Sequence, residues 1–330
     1  MSFAIYRLRR KKCNSLQIGI SPGPACYNRH SSMKKGITEM KKVFIQILKA
    51  LGYFAVYFTA QNLVTMVMGF MVGMMYGPEI KETAASYEEY MAQLQQHLAS
   101  YNGICLIVSA VLVLLTYFII EKVKKTSIIK ETDTKKVSGK HIGLTVIAAV
   151  GSMFFLNFML TILPIPADLM GALSNGMSKL TAYPMWQALL ANSLLVPIME
   201  EVVFRGYLYS RLSKAMPEIV VAIITSAIFG ICHGGIVWAA WAFLFGMIIC
   251  VFRMKTGSII PGIIFHIIMN TFSTLTSYTS LFDGMTETVM YVLTIVGGIL
   301  LAGSLAVTIA GKKTALAEKN AEVTISSAKI

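Results

Sequence analysis

The chain reads as eight apolar runs separated by short polar segments. The runs cover residues 43–76, 101–120, 142–163, 184–212, 219 to 232 or 233, 238–252, 259–275 and 289–310. A helix of ~20 residues crosses a hydrocarbon core, and most of these runs approach or exceed that length. The expected fold is all-α, a polytopic membrane bundle of about eight transmembrane helices. Around it, residues 1–42 form a polar, basic arm with Ser21-Pro-Gly-Pro24 at its middle, expected to be disordered. Residues 43–183 carry the first spans, 184–277 the spans rich in polar residues, and 278–330 the last span and a polar tail.

Composition agrees with this pattern. The chain is 55% hydrophobic and 14% charged, with a mean hydropathy of +0.66, against roughly 25% charged residues in a soluble domain. No period of 20–50 residues suggests a repeat array. No apolar run precedes residue 43, so no cleaved signal peptide is expected. Cys13, Cys26, Cys105, Cys232 and Cys250 are scattered without a CxxC, which argues for neither a disulfide framework nor a thiolate metal site.

A net charge of +13 invites a nucleic-acid partner, but the distribution of that charge points to topology instead. Ten Lys/Arg fall in residues 1–42 against the single acid Glu39, and seven lysines fall in 121–140. Arg211 and Lys214, Arg253 and Lys255, and Lys312 and Lys313 occupy the turns that alternate with them. The opposite set of loops has Lys81 and Lys179 as its only basic residues, beside Glu79, Glu82, Glu88, Glu89, Asp168, Asp283 and Glu287. The positive-inside rule then places both termini in the cytoplasm of a multi-pass cell-membrane protein. The expected surroundings are membrane lipid, with no nucleic acid.

Against this apolar background, Pro197-Ile-Met-Glu-Glu-Val-Val-Phe-Arg205 stands out. Ionisable groups at membrane depth are costly and are seldom present without a role. Neighbours on an α-helix point about 100° apart, so Glu200 and Glu201 are not expected to share a face. Glu201 and Arg205, at i,i+4, are close enough to pair, which leaves Glu200 as the carboxylate free for chemistry. By these three residues alone, an ionic lock between helices without catalysis is an equal reading.

Two histidines also fall at span depth. His233 ends a run of about 15 residues, roughly 22 Å at 1.5 Å per residue, and precedes Gly234-Gly235. That is short of a ~30 Å core, so the break is expected to line a cavity rather than face lipid. His266 and Asn270, at i,i+4, share one helix face. Each motif alone reads as polar glue between helices. Together, polar groups on three spans make a site with the parts for hydrolysis by water. A carboxylate held away from water can act as general base, a neutral histidine can orient the water, and a donor pair such as His266 and Asn270 can stabilise an oxyanion. Glu200, His233 and His266 could instead supply three zinc ligands with an open fourth position; no cofactor is the favoured expectation. HExxH, P-loop and GxGxxG motifs are absent from the sequence, and Cys232 and His233, as neighbours on a helix, diverge.

Glu200-Glu201-x-x-x-Arg205, Phe229-x-x-x-His233 and His266-x-x-x-Asn270, in this order on separate spans, resemble the CPBP family. This is the CAAX prenyl protease and bacteriocin-processing group, also called Abi, and the likeness covers roughly residues 184–277. It implies an intramembrane endopeptidase related to type II CAAX proteases, acting on a peptide or protein in or at the membrane. By analogy Glu200 and His233 activate the water, His266 and Asn270 support the oxyanion, Glu201 and Arg205 stabilise the site, and Phe229 packs near it. A CAAX substrate is not implied, and bacteriocin immunity or peptide maturation is a common setting for bacterial members. The competing readings are a non-catalytic immunity or partner-binding protein and a proton-relay transporter. The sequence lacks the two matching broken-helix halves that would favour the transporter.

The alternation of basic and acidic loops gives a direct test. Cysteine labelling or reporter fusion should place residues 85–95 outside and 125–135 inside; both on one side would overturn the eight-span topology.

Overall fold

Apolar runs of this length leave the backbone only one way to satisfy its own hydrogen bonds in lipid, which is to form helices. The computed structural model describes residues 24–171, 181–279, 281, 282 and 284–311, and among these there is no strand. Residues 1–23 of the basic arm, Lys179, Asp283 and the tail with Lys312 and Lys313 lie outside the described residues. The chain divides into a short unit, residues 1–45, and a body, residues 46–330; the body carries the polar spans.

The elements in order are α1 (Pro24–Thr83), α2 (Tyr87–Ser100), α3 (Asn102–Val123), α4 (Ile128–Glu131) and α5 (Gly139–Ile162). They are followed by α6 (Met185–Leu212), then α7 (Glu218–Cys232), α8 (Ile236–Thr256), α9 (Ile260–Tyr278) and α10 (Glu287–Ala310). Residues 24–42, assigned to the arm from sequence, belong to α1. All eight apolar runs are helical. Among the described residues six helices are long and apolar enough to cross a membrane: α1 from Met40, α3, α5, α6, α8 and α10. The remaining two differ for physical reasons. Helix α7 has only 15 residues, and α9, with 19, carries His266, Asn270 and a series of Ser and Thr residues. The chain is a multi-pass membrane protein.

Helix α6 is the central element. Residues 201–212 are buried throughout, whereas α1 and α10 show one broad face of exposed Phe, Met, Ile and Val, as lipid-facing helices do. The helix α6 also departs from regular α geometry. Leu189–Leu195 and Glu201–Leu208 are π-helical, with widened i→i+5 turns of the kind that concentrate at functional sites.

Polar clamps hold the end of α6 nearest the basic loops. The Tyr53 ring stacks on Tyr207 at 4.0 Å, its hydroxyl donates to Glu121 at 2.7 Å, and Tyr117 donates to the Tyr53 carbonyl at 2.7 Å. This ties α1, α3 and α6 together. The loop after α4 is tucked beneath α6 and α8, where Arg211 pairs with Glu131 and Ser258 donates to the Lys135 carbonyl at 2.9 Å. Burial lowers the Lys135 amine below its ordinary value, against the opposing pull of Asp133.

Helices α5 and α10 meet backbone to backbone. A Cβ on Gly151 would lie 2.6 Å from the Leu301 nitrogen, and one on Gly297 would lie 2.6 Å from the Phe155 nitrogen. Small residues at such crossings let helices approach closely when lipid supplies no hydrophobic drive between them. Gly297→Val should push α10 off α5 and lower stability in detergent by about 1–3 kcal/mol, read as the thermal midpoint. An unchanged midpoint would show that the crossing is loose.

Candidate active site

The polar residues of α6, α7 and α9 converge where α6 is widened. Arg205 Nη1 donates to Glu201 Oε1 at 2.9 Å, and both side chains are 0% exposed. The i,i+4 pair expected from spacing is thus present in the geometry. The guanidinium also lies over the Phe229 ring, 4.4 Å from its centroid. Room for the pair comes from two glycines that the sequence reading did not single out. A Cβ on Gly262 of α9 would lie 2.5 Å from Glu201 Oε2, and one on Gly246 of α8 would lie 2.8 Å from Arg205 Nη2.

Helical spacing separates Glu200 from Glu201, yet the structure brings both to one imidazole. His266 Nδ1 is 3.1 Å from Glu201 Oε1 and Nε2 is 3.6 Å from Glu200 Oε2. The ring sits between the diverging carboxylates and turns one nitrogen to each, so a shared face is not needed. Two carboxylates, one guanidinium and one imidazole make a neutral cluster when a single extra proton is held by His266 or Glu200. Phe229 and Phe245 flank the imidazole, with ring centroids at 5.9 Å and 4.8 Å.

The two carboxylates differ in access. Glu201 is 0% exposed and enclosed, while Glu200 keeps 7% of its surface. His233, just past the end of α7, is exposed. Its Nδ1 donates to the Phe229 carbonyl at 2.7 Å, a tautomer assigned from the hydrogen bond; Nε2 of the neutral ring is then a free acceptor. No hydrogen bond joins His233 to Glu200. The next residues, Gly234 and Gly235, have φ of 66° and 56°, a left-handed conformation that glycine adopts without steric cost.

Each widened stretch of α6 has a carbonyl taken by a side chain from a neighbouring helix. Asn270 Nδ2 donates to the Asn192 carbonyl at 2.8 Å. Arg253 Nε donates to the Arg205 carbonyl at 3.0 Å, and its Nη2 reaches Ser210 Oγ at 2.9 Å and the Thr132 carbonyl at 3.0 Å. One N–H of the Asn270 amide is thus taken by α6, and its second N–H stays available on the helix face it shares with His266. Arg253 was read from sequence as a topology marker only; its place in the last turn of an apolar helix was the available signal.

Residues 182–272 match a family model described as type II CAAX prenyl endopeptidase Rce1-like. The match agrees with the family that the three motifs resemble. Over those residues the chain is similar to a CAAX-type intramembrane protease family. No curated protein and no solved structure matches the chain.

The Rce1-like domain contains every polar residue of the cluster from Glu200 to Asn270. The zinc alternative needs Glu200, His233 and His266 to point at one centre. His266 Nδ1 faces the Glu201 carboxylate and His233 Nδ1 a backbone carbonyl, the outer partners that metal-bound histidines also use, so each ring keeps Nε2 for the site. Among the described residues no group of three or more His, Cys, Asp or Glu is already gathered as metal ligands.

Breaking the enclosed pair should be costly. Arg205→Ala strands Glu201 and should reduce stability by about 3–5 kcal/mol, and Gly262→Ala, by crowding Glu201, should cost about 1–3 kcal/mol. Both are read as folded protein recovered and thermal midpoint in detergent. Wild-type midpoints for both variants would show that the pair is not held as described.

Proposed function

We propose that the Rce1-like domain is an intramembrane endopeptidase that hydrolyses a peptide bond in a membrane-associated protein or peptide, with Glu200 as general base. The observation that carries this reading is the division of labour between adjacent carboxylates. Glu201 is enclosed by Arg205, His266 and Gly262, while Glu200, also buried, retains 7% of its surface and has the His266 imidazole at 3.6 Å.

Glu200 accepts a proton from water as the water oxygen bonds to the scissile carbonyl carbon. The Nε2 lone pair of His233, freed by the Nδ1 bond to Phe229, helps to orient that water. When the tetrahedral intermediate collapses, the C–N bond breaks and Glu200 returns the proton to the leaving amine. His266 exchanges hydrogen bonds with Glu200 as its charge changes, and Glu201 and Arg205 fix the imidazole for that task. No step requires a metal. The protein sits in the cell membrane, both termini in the cytoplasm, and its substrate is met in or at the bilayer.

The test is a comparison of membranes from cells expressing wild type and Glu200→Gln, by mass spectrometry of new peptide N-termini, with the purified protein assayed before and after chelation. Glu200→Gln should abolish the protein-dependent termini while leaving the thermal midpoint nearly unchanged, and activity should survive chelation. Identical termini with and without Glu200 would leave a non-catalytic membrane protein. Stoichiometric zinc, lost and restored together with activity, would replace the metal-free mechanism.

A further inference from the structure

The cluster around Glu200 is closed toward the basic loops and uncovered toward the acidic ones. On the basic side, residues 201–212 of α6 are buried throughout, and the loop after α4 is fastened over them. A Cβ on Gly206 would lie 2.6 Å from Thr132 Cγ2, so this loop touches the α6 backbone. Arg253 donates to the carbonyls of Arg205 and Thr132, each at 3.0 Å. Arg211 pairs with Glu131, and Ser258 donates to the Lys135 carbonyl at 2.9 Å. The loop is thus tied to α6, to α8 and to the turn before α9.

The other side is built differently. Helix α7 starts just after the turn that holds Lys214 and has 15 residues. It rises roughly 22 Å in a core of ~30 Å, so Cys232 and His233 lie away from the basic loops. Residues 231–236 are exposed without a break. No side chain caps α8, and its backbone ladder begins with Ala239 N donating to the Gly235 carbonyl. The N–H groups ahead of that bond need water, because lipid offers them no acceptor. Helix α9 also changes character along its length. Residues 260–265, toward the basic loops, are apolar, glycine or proline. Past His266 come Asn270, Thr271, Ser273, Thr274, Thr276 and Ser277, and Ser193 of α6 donates to Thr274 there at 3.2 Å.

We propose that water and substrate reach Glu200 from the acidic-loop side, through the uncovered α7–α8 turn. The loop charges make that side extracytoplasmic by the positive-inside rule. The substrate is then a translocated stretch of polypeptide at the outer half of the bilayer, and the lysine-rich loop held by Arg253 bars the cytoplasmic route. The proposal rests on the proteolytic reading of Glu200 and on that topology.

Cys232, exposed beside His233, is a native reporter of the entrance, while Cys105 and Cys250 are buried. Cys13→Ser and Cys26→Ser remove the thiols near the N-terminus. In this background a membrane-impermeant maleimide should label Cys232 in sealed right-side-out vesicles and not in inside-out ones. Lys130→Cys of α4, combined with Cys232→Ser, should show the reverse. Labelling of both positions from one side, or of Cys232 from neither, overturns the entrance; an exchange of sides between them overturns the extracytoplasmic assignment. In parallel, new peptide N-termini are mapped in membranes from cells expressing wild type and Glu200→Gln. Termini that depend on Glu200 should fall in translocated segments. Their confinement to cytoplasmic segments overturns this proposal and leaves the proteolytic reading standing. If no termini depend on Glu200, the proteolytic reading falls and this proposal with it.

Discussion

An arginine and a glutamate with no exposed surface constrain everything around them. Two ions removed from water carry a desolvation penalty that their attraction offsets only when geometry is good and the remaining donors and acceptors are met. Here Arg205 Nη1 donates to Glu201 Oε1 at 2.9 Å, Glu201 Oε2 and Arg205 Nε and Nη2 are buried without a hydrogen-bond partner among the described residues, and further support comes from three other helices. The Phe229 ring of α7 lies under the guanidinium, the His266 imidazole of α9 meets the same carboxylate oxygen, and Gly246 and Gly262 bring helix backbone where any side chain would collide. The pair therefore selects what α7, α8 and α9 can present, and those helices in turn hold the histidines.

The widened turns of α6 follow from the same constraint. A regular α-helix sends successive side chains about 100° apart, which favours one wall of a site but not a cluster reached from several sides. Two π-helical stretches, Leu189–Leu195 and Glu201–Leu208, change the phase of α6 on both sides of Glu200. Such stretches are uncommon, and neighbours contribute to holding them: Asn270 takes a carbonyl in the first and Arg253 one in the second. These contacts give Asn270 a structural task that its place beside His266 in sequence does not reveal. They also explain why an arginine from the basic end of α8 is turned inward instead of outward to water.

The helices were legible because apolar length is a strong signal: all eight runs are helical, six of them long and apolar enough to cross a membrane among the described residues, and the short α7 ending at Gly234-Gly235 was visible in its residue count. The Glu201–Arg205 contact was legible because it is local, fixed by i,i+4 spacing within one helix. What spacing could not give were phase and distance between helices. Helical geometry correctly parted Glu200 from Glu201, yet a single ring on α9 reaches both, since an imidazole has two nitrogens on different sides. Nor does sequence show that Gly246 and Gly262 are close-approach positions, because glycine is frequent in membrane helices in general.

Burial through the cluster follows a gradient that bears on how such a site can work. Arg205 and Glu201 have no exposed surface, His266 keeps 2%, Glu200 keeps 7%, and His233 is exposed. Fixed charge is thus held at the closed end, where a low dielectric strengthens it, and His233 lies on the exposed side of the cluster. The sequence order on α6 enforces this arrangement, because Glu200 precedes Glu201 and Arg205 on a helix whose residues 201–212 are all buried. The short α7 completes it. With only 15 residues the helix stops at the level of the cluster, and the glycine turn that follows leaves the His233 side uncovered. A regular α-helix continued through His233 would give the Phe229 carbonyl to the His233 backbone N–H; here that N–H bonds to Gly230 instead, and the carbonyl is left to fix the imidazole tautomer. The length of one helix and the position of one aromatic residue therefore set both the opening of the site and the state of the histidine within it.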